Sequence, residues 1–147
     1  MDITRKYALP LFLKGVINPL DYERWLSRKA IAHLRRDRDK GNSSATNEAY
    51  KIAIHKAVTE SKGKDAYTGE KLDWQLLSKY NNEESKKLGR VYKQRFALLP
   101  SVDHVGDGLG PADFKICSWR TNDAKNDLSL IDFVKLCRKV VASYESR

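Results

Sequence analysis

Helical periodicity dominates this chain, and only one short region has room for strands. Between Asn18 and Lys40 the apolar residues Tyr22, Trp25, Leu26, Ala30 and Leu34 recur at intervals that lay one stripe along a helix. Asn18-Pro19-Leu20-Asp21 is a start signal: a capping asparagine, a proline suited to the first helical position, and an acid in the first turn. Gly41 is the expected stop. A second helix is expected over Thr46 to Ser61, where Ala49/Tyr50, Ala53/Ile54 and Ala57/Val58 form one face, with Gly63 as its stop. A last helix follows a Ser129 cap, with Leu130, Phe133, Val134, Cys137, Val140, Val141 and Tyr144 at helical spacing. Strand character is confined to FALLPSVDHV and DFKICSWR, separated by the glycine-rich GDGLGPAD. Pro100 suggests an edge or a bulge in the first strand. The expected fold is therefore α+β and mainly helical, with a small two-stranded unit between N-terminal helices and a C-terminal helix.

A chain of 147 residues is one domain's worth. It divides by texture into a basic helical part over 1–64 and a second part over 65–147. No apolar run approaches the ~20 residues that span a bilayer, and no membrane partner is expected. The opening MDITRKYALPLFLKG is interrupted by Pro10 and followed by no small-residue cleavage site, so it reads as the start of the fold. Cys117 and Cys137 form no CxxC and cannot alone build a four-ligand zinc site, so no structural zinc is expected. They read as reduced core thiols of a cytoplasmic protein. The net charge of +9 attracts polyanions before any specific contact forms, which makes nucleic acid the leading partner class. Part of that charge is clustered, in the run from Arg35 and Arg36 to Lys40 and again at Lys86, Lys87, Arg90, Lys93 and Arg95.

The stretch 101–127 carries the chemistry. An Asp103-His104 pair ends a strand, a glycine-rich loop follows, and a second strand leads to a helix start bearing Asn122 and Lys125. Phosphodiester hydrolysis asks for such parts. A divalent ion polarises the phosphate and stabilises the departing oxygen. Hard oxygen ligands suit Mg²⁺ or Mn²⁺, and Asp103 and Asn122 can supply them. Histidine titrates in the range a water-activating base needs. Adjacent strand residues point to opposite faces, so Asp103 and His104 need a bulge or a strand end to act together. Pro100 and Gly106 bracket the pair and make that distortion expected.

These residues resemble the ββα-metal core of HNH endonucleases. Val102-Asp103-His104-Val105 matches the family's strand, in which the histidine is the general base and the aspartate binds metal. Asn122-Asp123-Ala124-Lys125 matches the helix-opening last ligand followed three residues on by lysine. Where the family carries an asparagine that braces the loop and orients the histidine, this chain has Asp113. Tyr67-Thr68-Gly69 resembles the knuckle that often precedes the motif, without its zinc-binding cysteines. The resemblance covers roughly residues 65–145. It implies single-metal hydrolysis: His104 takes a proton from water, Asp103 and Asn122 hold the ion, Asp113 supports the histidine, and Lys125 or Arg120 neutralises phosphate. Double-stranded DNA is the expected substrate, with Arg35, Arg36, Lys86 and Lys87 as further backbone contacts.

Plainer readings stand beside these. Asp113, Asp107 and Asp127 are also ordinary turn or cap residues, and Lys125 and Arg120 ordinary helical cations. His33 and His55 lack ligand-spaced partners and read as surface or packing residues. Trp25, Trp74 and Trp119 read as core anchors. A non-catalytic nucleic-acid-binding module with a degenerate HNH unit is the main alternative function. A partner for an acidic protein is another, against which salt-sensitive retention on DNA would argue.

Overall fold

A computed structural model describes residues 6–147; Met1 to Arg5, part of the stretch expected to open the fold, lie outside the described residues. The architecture is α+β and mainly helical, with 56% helix, six α-helices and a two-stranded antiparallel sheet. No described helix is long and apolar enough to cross a membrane.

Local signals set the helix starts. Helix α1 (Pro19–Asp39) is capped by Asn18, whose side chain accepts from the Leu20 N–H at 2.8 Å. Helix α2 (Asn47–Ser61) is capped by Thr46, which accepts from Ala49 N. It ends at Lys62, itself left-handed at φ 53°, one residue before the expected Gly63. The two helices pack along the predicted stripes, burying Tyr22, Trp25, Leu26, Ala30 and Leu34 against Tyr50, Ile54, Ala57 and Val58.

The polar stretch 81–95 folds as two short helices, α3 (Asn82–Leu88) and α4 (Arg90–Arg95). Asn81 caps α3 by accepting from the Glu83 and Glu84 N–H groups, and Tyr92 buries its ring while its hydroxyl accepts from Asn81 N. Strand β1 is shorter than expected, Pro100–His104, because Phe96 to Leu99 fold as turns after α4. It pairs with β2 (Phe114–Ser118) in unbroken register: Val102 opposes Ile116, Asp103 opposes Lys115 and His104 opposes Phe114. The distortion expected around Asp103 and His104 is absent. Helix α5 (Trp119–Lys125) starts directly after β2, capped by Ser118, so Asn122 is its fourth residue and does not open it. Packing of α2 on β2 and of α1 on α2 sets the basic N-terminal part against the ββα unit.

Helix α6 (Leu130–Glu145) is capped by Ser129 as expected, yet none of its residues is buried. Cys137 is therefore exposed, correcting its reading as a core thiol; Cys117 is buried. Trp25 and Trp74 are core anchors, whereas Trp119 is half-buried against Tyr80.

Candidate active site

The segment before β1 determines where α5, and so Asn122, sits. Asp65 is 2% exposed and bonds in four directions. One oxygen accepts from the Tyr67 and Thr68 N–H groups at 2.8 and 3.2 Å, closing the Tyr67-Thr68-Gly69 knuckle as an Asx-turn. The other accepts from Ser118 N at 2.9 Å and from the Thr121 hydroxyl at 2.8 Å, which ties the knuckle to the β2–α5 junction. Burial pushes this carboxyl up, but the bonds from Ser118, Tyr67, Thr121 and Thr68 outweigh it and hold it below the usual aspartate value.

Unbroken register sends Asp103 and His104 to opposite sides of β1. Asp103 faces α5: its Oδ2 lies 2.9 Å from Lys125 Nζ and accepts from the Tyr67 hydroxyl at 2.5 Å. The pair is buried, with side-chain exposures of 7% for Lys125 and 9% for Asp103. Burial, then the bond to Asp103, raises the Tyr67 phenol. Lys125 thus neutralises Asp103, and the phosphate contact expected of it gives way to an internal ion pair.

His104 faces the N-terminal helices. Its ring packs edge-on to Phe114 at 4.6 Å between centroids and near Tyr50 and His33. Nδ1 lies 2.9 Å from the Val105 carbonyl, which can only accept, so Nδ1 carries the proton. Nε2 lies 2.8 Å from Oδ2 of Asp37, on α1, yet makes no aligned hydrogen bond and has no solvent contact. Asp37 also accepts from the Tyr50 hydroxyl. His33 is held down to about 4, by burial first and then by Arg36, Lys29 and His104, so it is neutral at physiological pH.

Asp113 does not brace His104 with its side chain, which is exposed. Its backbone carbonyl accepts from Val105 N at 2.8 Å and closes the hairpin instead. Asn122 donates from Nδ2 to Ser101 Oγ at 2.9 Å and approaches the Val102 carbonyl, which identifies Nδ2 and leaves Oδ1 as the amide's acceptor. Arg120 pairs with Glu70 on the surface. Lys86 and Lys87 are exposed on α3, and Arg35 is exposed on α1. Of the expected phosphate contacts, only Arg36 borders the cleft described next.

Asp103, His104 and Asn122 all line one cleft of about 730 Å³, together with Asp37, Arg36 and Lys40 from α1. Asp107, Asp123 and Asp127 lie along the same walls. Among the described residues no three His, Cys, Asp or Glu side chains gather to hold an ion. The oxygen donors nearest the expected ion site are the Asp103 carboxylate, whose Oδ2 is already held by Lys125 and Tyr67, and the Asn122 amide, with water and substrate left to complete any coordination. That donor set fits Mg²⁺ or Mn²⁺, since Mg²⁺ keeps several waters and takes one or two carboxylates.

Sequence reasoning missed Asp37 and Asp65. Asp37 continues the α1 stripe through Ala30 and His33, a position on the buried face that its place in an arginine-rich run masked. Asp65 carries the Asx-turn signature, an aspartate three residues ahead of Thr68-Gly69. No protein-family model, curated protein or solved structure matches this chain.

Proposed function

We propose that the chain is a divalent-metal-dependent endonuclease of the HNH type, acting on double-stranded DNA. The observation that carries this reading is that Asp103, His104 and Asn122 line one cleft, bordered by Arg36 and Lys40, on a chain of net charge +9. A bound Mg²⁺ or Mn²⁺ would supply Lewis-acid stabilisation of the phosphorane charge and of the leaving oxygen.

The protein's own groups do the rest. The bond to the Val105 carbonyl fixes the Nδ1–H tautomer, so Nε2 is the atom that accepts a proton from water. The Asp37 carboxylate covers Nε2, so the reactive arrangement requires that contact to lengthen by the width of one water molecule. Ser101 orients the Asn122 amide, and Lys125 and Tyr67 fix the Asp103 carboxylate. Arg36 and Lys40 are the two lining cations that can meet a DNA phosphate, and a divalent ion would offset the Asp37, Asp103, Asp107, Asp123 and Asp127 carboxylates of the same cleft.

Nicking of supercoiled plasmid tests the proposal. Cleavage is expected with Mg²⁺ or Mn²⁺, absent with EDTA, and lost in His104→Ala. The covered Nε2 and the Lys125–Asp103 pair favour one second reading, a nucleic-acid-binding module without catalysis. Salt-sensitive plasmid binding with no cleavage under any divalent ion would replace the nuclease with that module.

A further inference from the structure

We infer that Asp37, from the basic N-terminal helix, is the positioning residue for the His104 imidazole, so that α1 completes the site of the ββα unit. The inference rests on the nuclease reading for its kinetic consequences, but its structural basis is separate. Asp37 is 2% exposed and lies in the last turn of α1. Both placements disfavour a carboxylate: burial strips its water, and a helix C-terminus presents negative partial charge. Among the described residues its one ion-pair partner within 4.0 Å is His104 Nε2, at 2.8 Å.

Three further contacts fix the carboxylate against the ring. The Tyr50 hydroxyl donates to Oδ2, the oxygen nearest the imidazole. Gly108 lies over Oδ1 so closely that a Cβ there would fall 2.5 Å from it, and the φ of +83° at Gly108 suits glycine. The Asn42 amide donates to the Gly108 carbonyl at 2.8 Å, pinning the glycine loop to the end of α1. The α1 terminus and the 106–110 loop thus hold one charged oxygen beside the proton-accepting nitrogen.

The ring is held at both nitrogens. Nδ1 lies on the Val105 carbonyl and Nε2 lies against the Asp37 carboxylate, so Asp37 fixes the rotation of the imidazole from the α1 side. The Asp113 side chain is exposed and plays no such part.

The test compares Asp37→Ala, Asp37→Asn and Tyr50→Phe with the wild type in metal-dependent cleavage of a labelled duplex. Removing the carboxylate should lower kcat about 10- to 100-fold, the usual loss for a group acting through another, with KM for DNA unchanged. Formate should restore part of the kcat of Asp37→Ala, and chloride should not. Tyr50→Phe, which keeps the carboxylate and removes its anchor, should lower kcat less. Unchanged kcat in the Asp37 variants, or a loss confined to KM, overturns the inference and leaves the nuclease reading standing. Should Asp37→Ala fail to fold by circular dichroism, unchanged kcat in Tyr50→Phe overturns it. Should the wild type not cleave at all, the nuclease reading falls and NMR of the free protein decides this inference. A His104 Nδ1–H signal present in the wild type and lost in a folded Asp37 variant supports it; its persistence there overturns it.

Discussion

Replacing Asp65 with asparagine should cost the fold about 3 kcal/mol at neutral pH, and the figure follows from where its four donors sit. The carbonyl oxygen of the new amide can still accept from the Tyr67 and Thr68 N–H groups, keeping the Asx-turn. The amide nitrogen then faces Ser118 N–H and the Thr121 hydroxyl, two donors that had bonded to Oδ2. Thr121 can rotate its hydroxyl toward Ser118 Oγ, 2.9 Å away. The Ser118 N–H cannot turn, and Ser118 is fully buried. An unsatisfied buried donor costs about 1–3 kcal/mol, and losing a bond to a charged acceptor adds about 1.5 kcal/mol or more. For a domain of this size that is a fall in Tm of about 6–12 °C, read by differential scanning calorimetry at pH 7. The difference between the two proteins also depends on pH. The folded carboxyl is held below its free value of 3.8, so its stabilisation is complete above that pH and is lost as pH falls through the lower folded value. The wild-type and Asp65→Asn melting curves should therefore converge in strong acid. A fall under about 2 °C at pH 7, or a gap unchanged in acid, would refute the account of Asp65 as the clamp on α5.

Two further perturbations test neighbouring parts of the site. Lys125→Met keeps the aliphatic stem but leaves the buried Asp103 carboxylate without its cation; breaking a buried pair from one side costs about 3–5 kcal/mol, visible in urea denaturation at pH 7. An equally stable variant would show that the pair is not holding β1 to α5. Gly108→Ala would place a methyl group 2.5 Å from Asp37 Oδ1 at a backbone angle that disfavours alanine, and should lower stability by about 1–3 kcal/mol while shifting the His104 ring resonances. Unaltered ring resonances would separate the loop from the imidazole.

Much of the scaffold was legible because its determinants are local. Asn18 and Ser129 each accept from an N–H two or three residues on, so these caps could be read from neighbouring letters, whereas Thr46, expected as the first residue of α2, is its cap. The α1 and α2 stripes depend only on periodicity. The unit over 101–127 was legible as strand, loop, strand and helix, and of its candidate site residues Asp103, His104 and Asn122 line one cleft while Asp113, Arg120 and Lys125 do not. Its internal geometry was not legible. Whether Asp103 and His104 act from one face depends on register with β2, which is regular, and this separates them across the strand. The partner of His104 lies 67 positions earlier, and that of Asp103 was expected to bind phosphate. Asn122 was read as opening its helix because the Ser118 cap, four residues before it, hides within a strand-like run. Helix α6 shows the limit of periodicity, which predicts that a helix has an apolar face and not that the chain covers it.

The nuclease reading stands on Asp103 and Asn122 offering oxygen to one divalent cation beside His104. Titration of Mn²⁺ into ¹⁵N-labelled protein tests that most directly, since the ion broadens nearby resonances. At substoichiometric Mn²⁺ the Asn122 side-chain amide and the backbone amides of Asp103 and His104 should disappear first, while α6 signals persist. Equal loss of signal at the exposed acidic residues, with Asn122 still sharp, would contradict it.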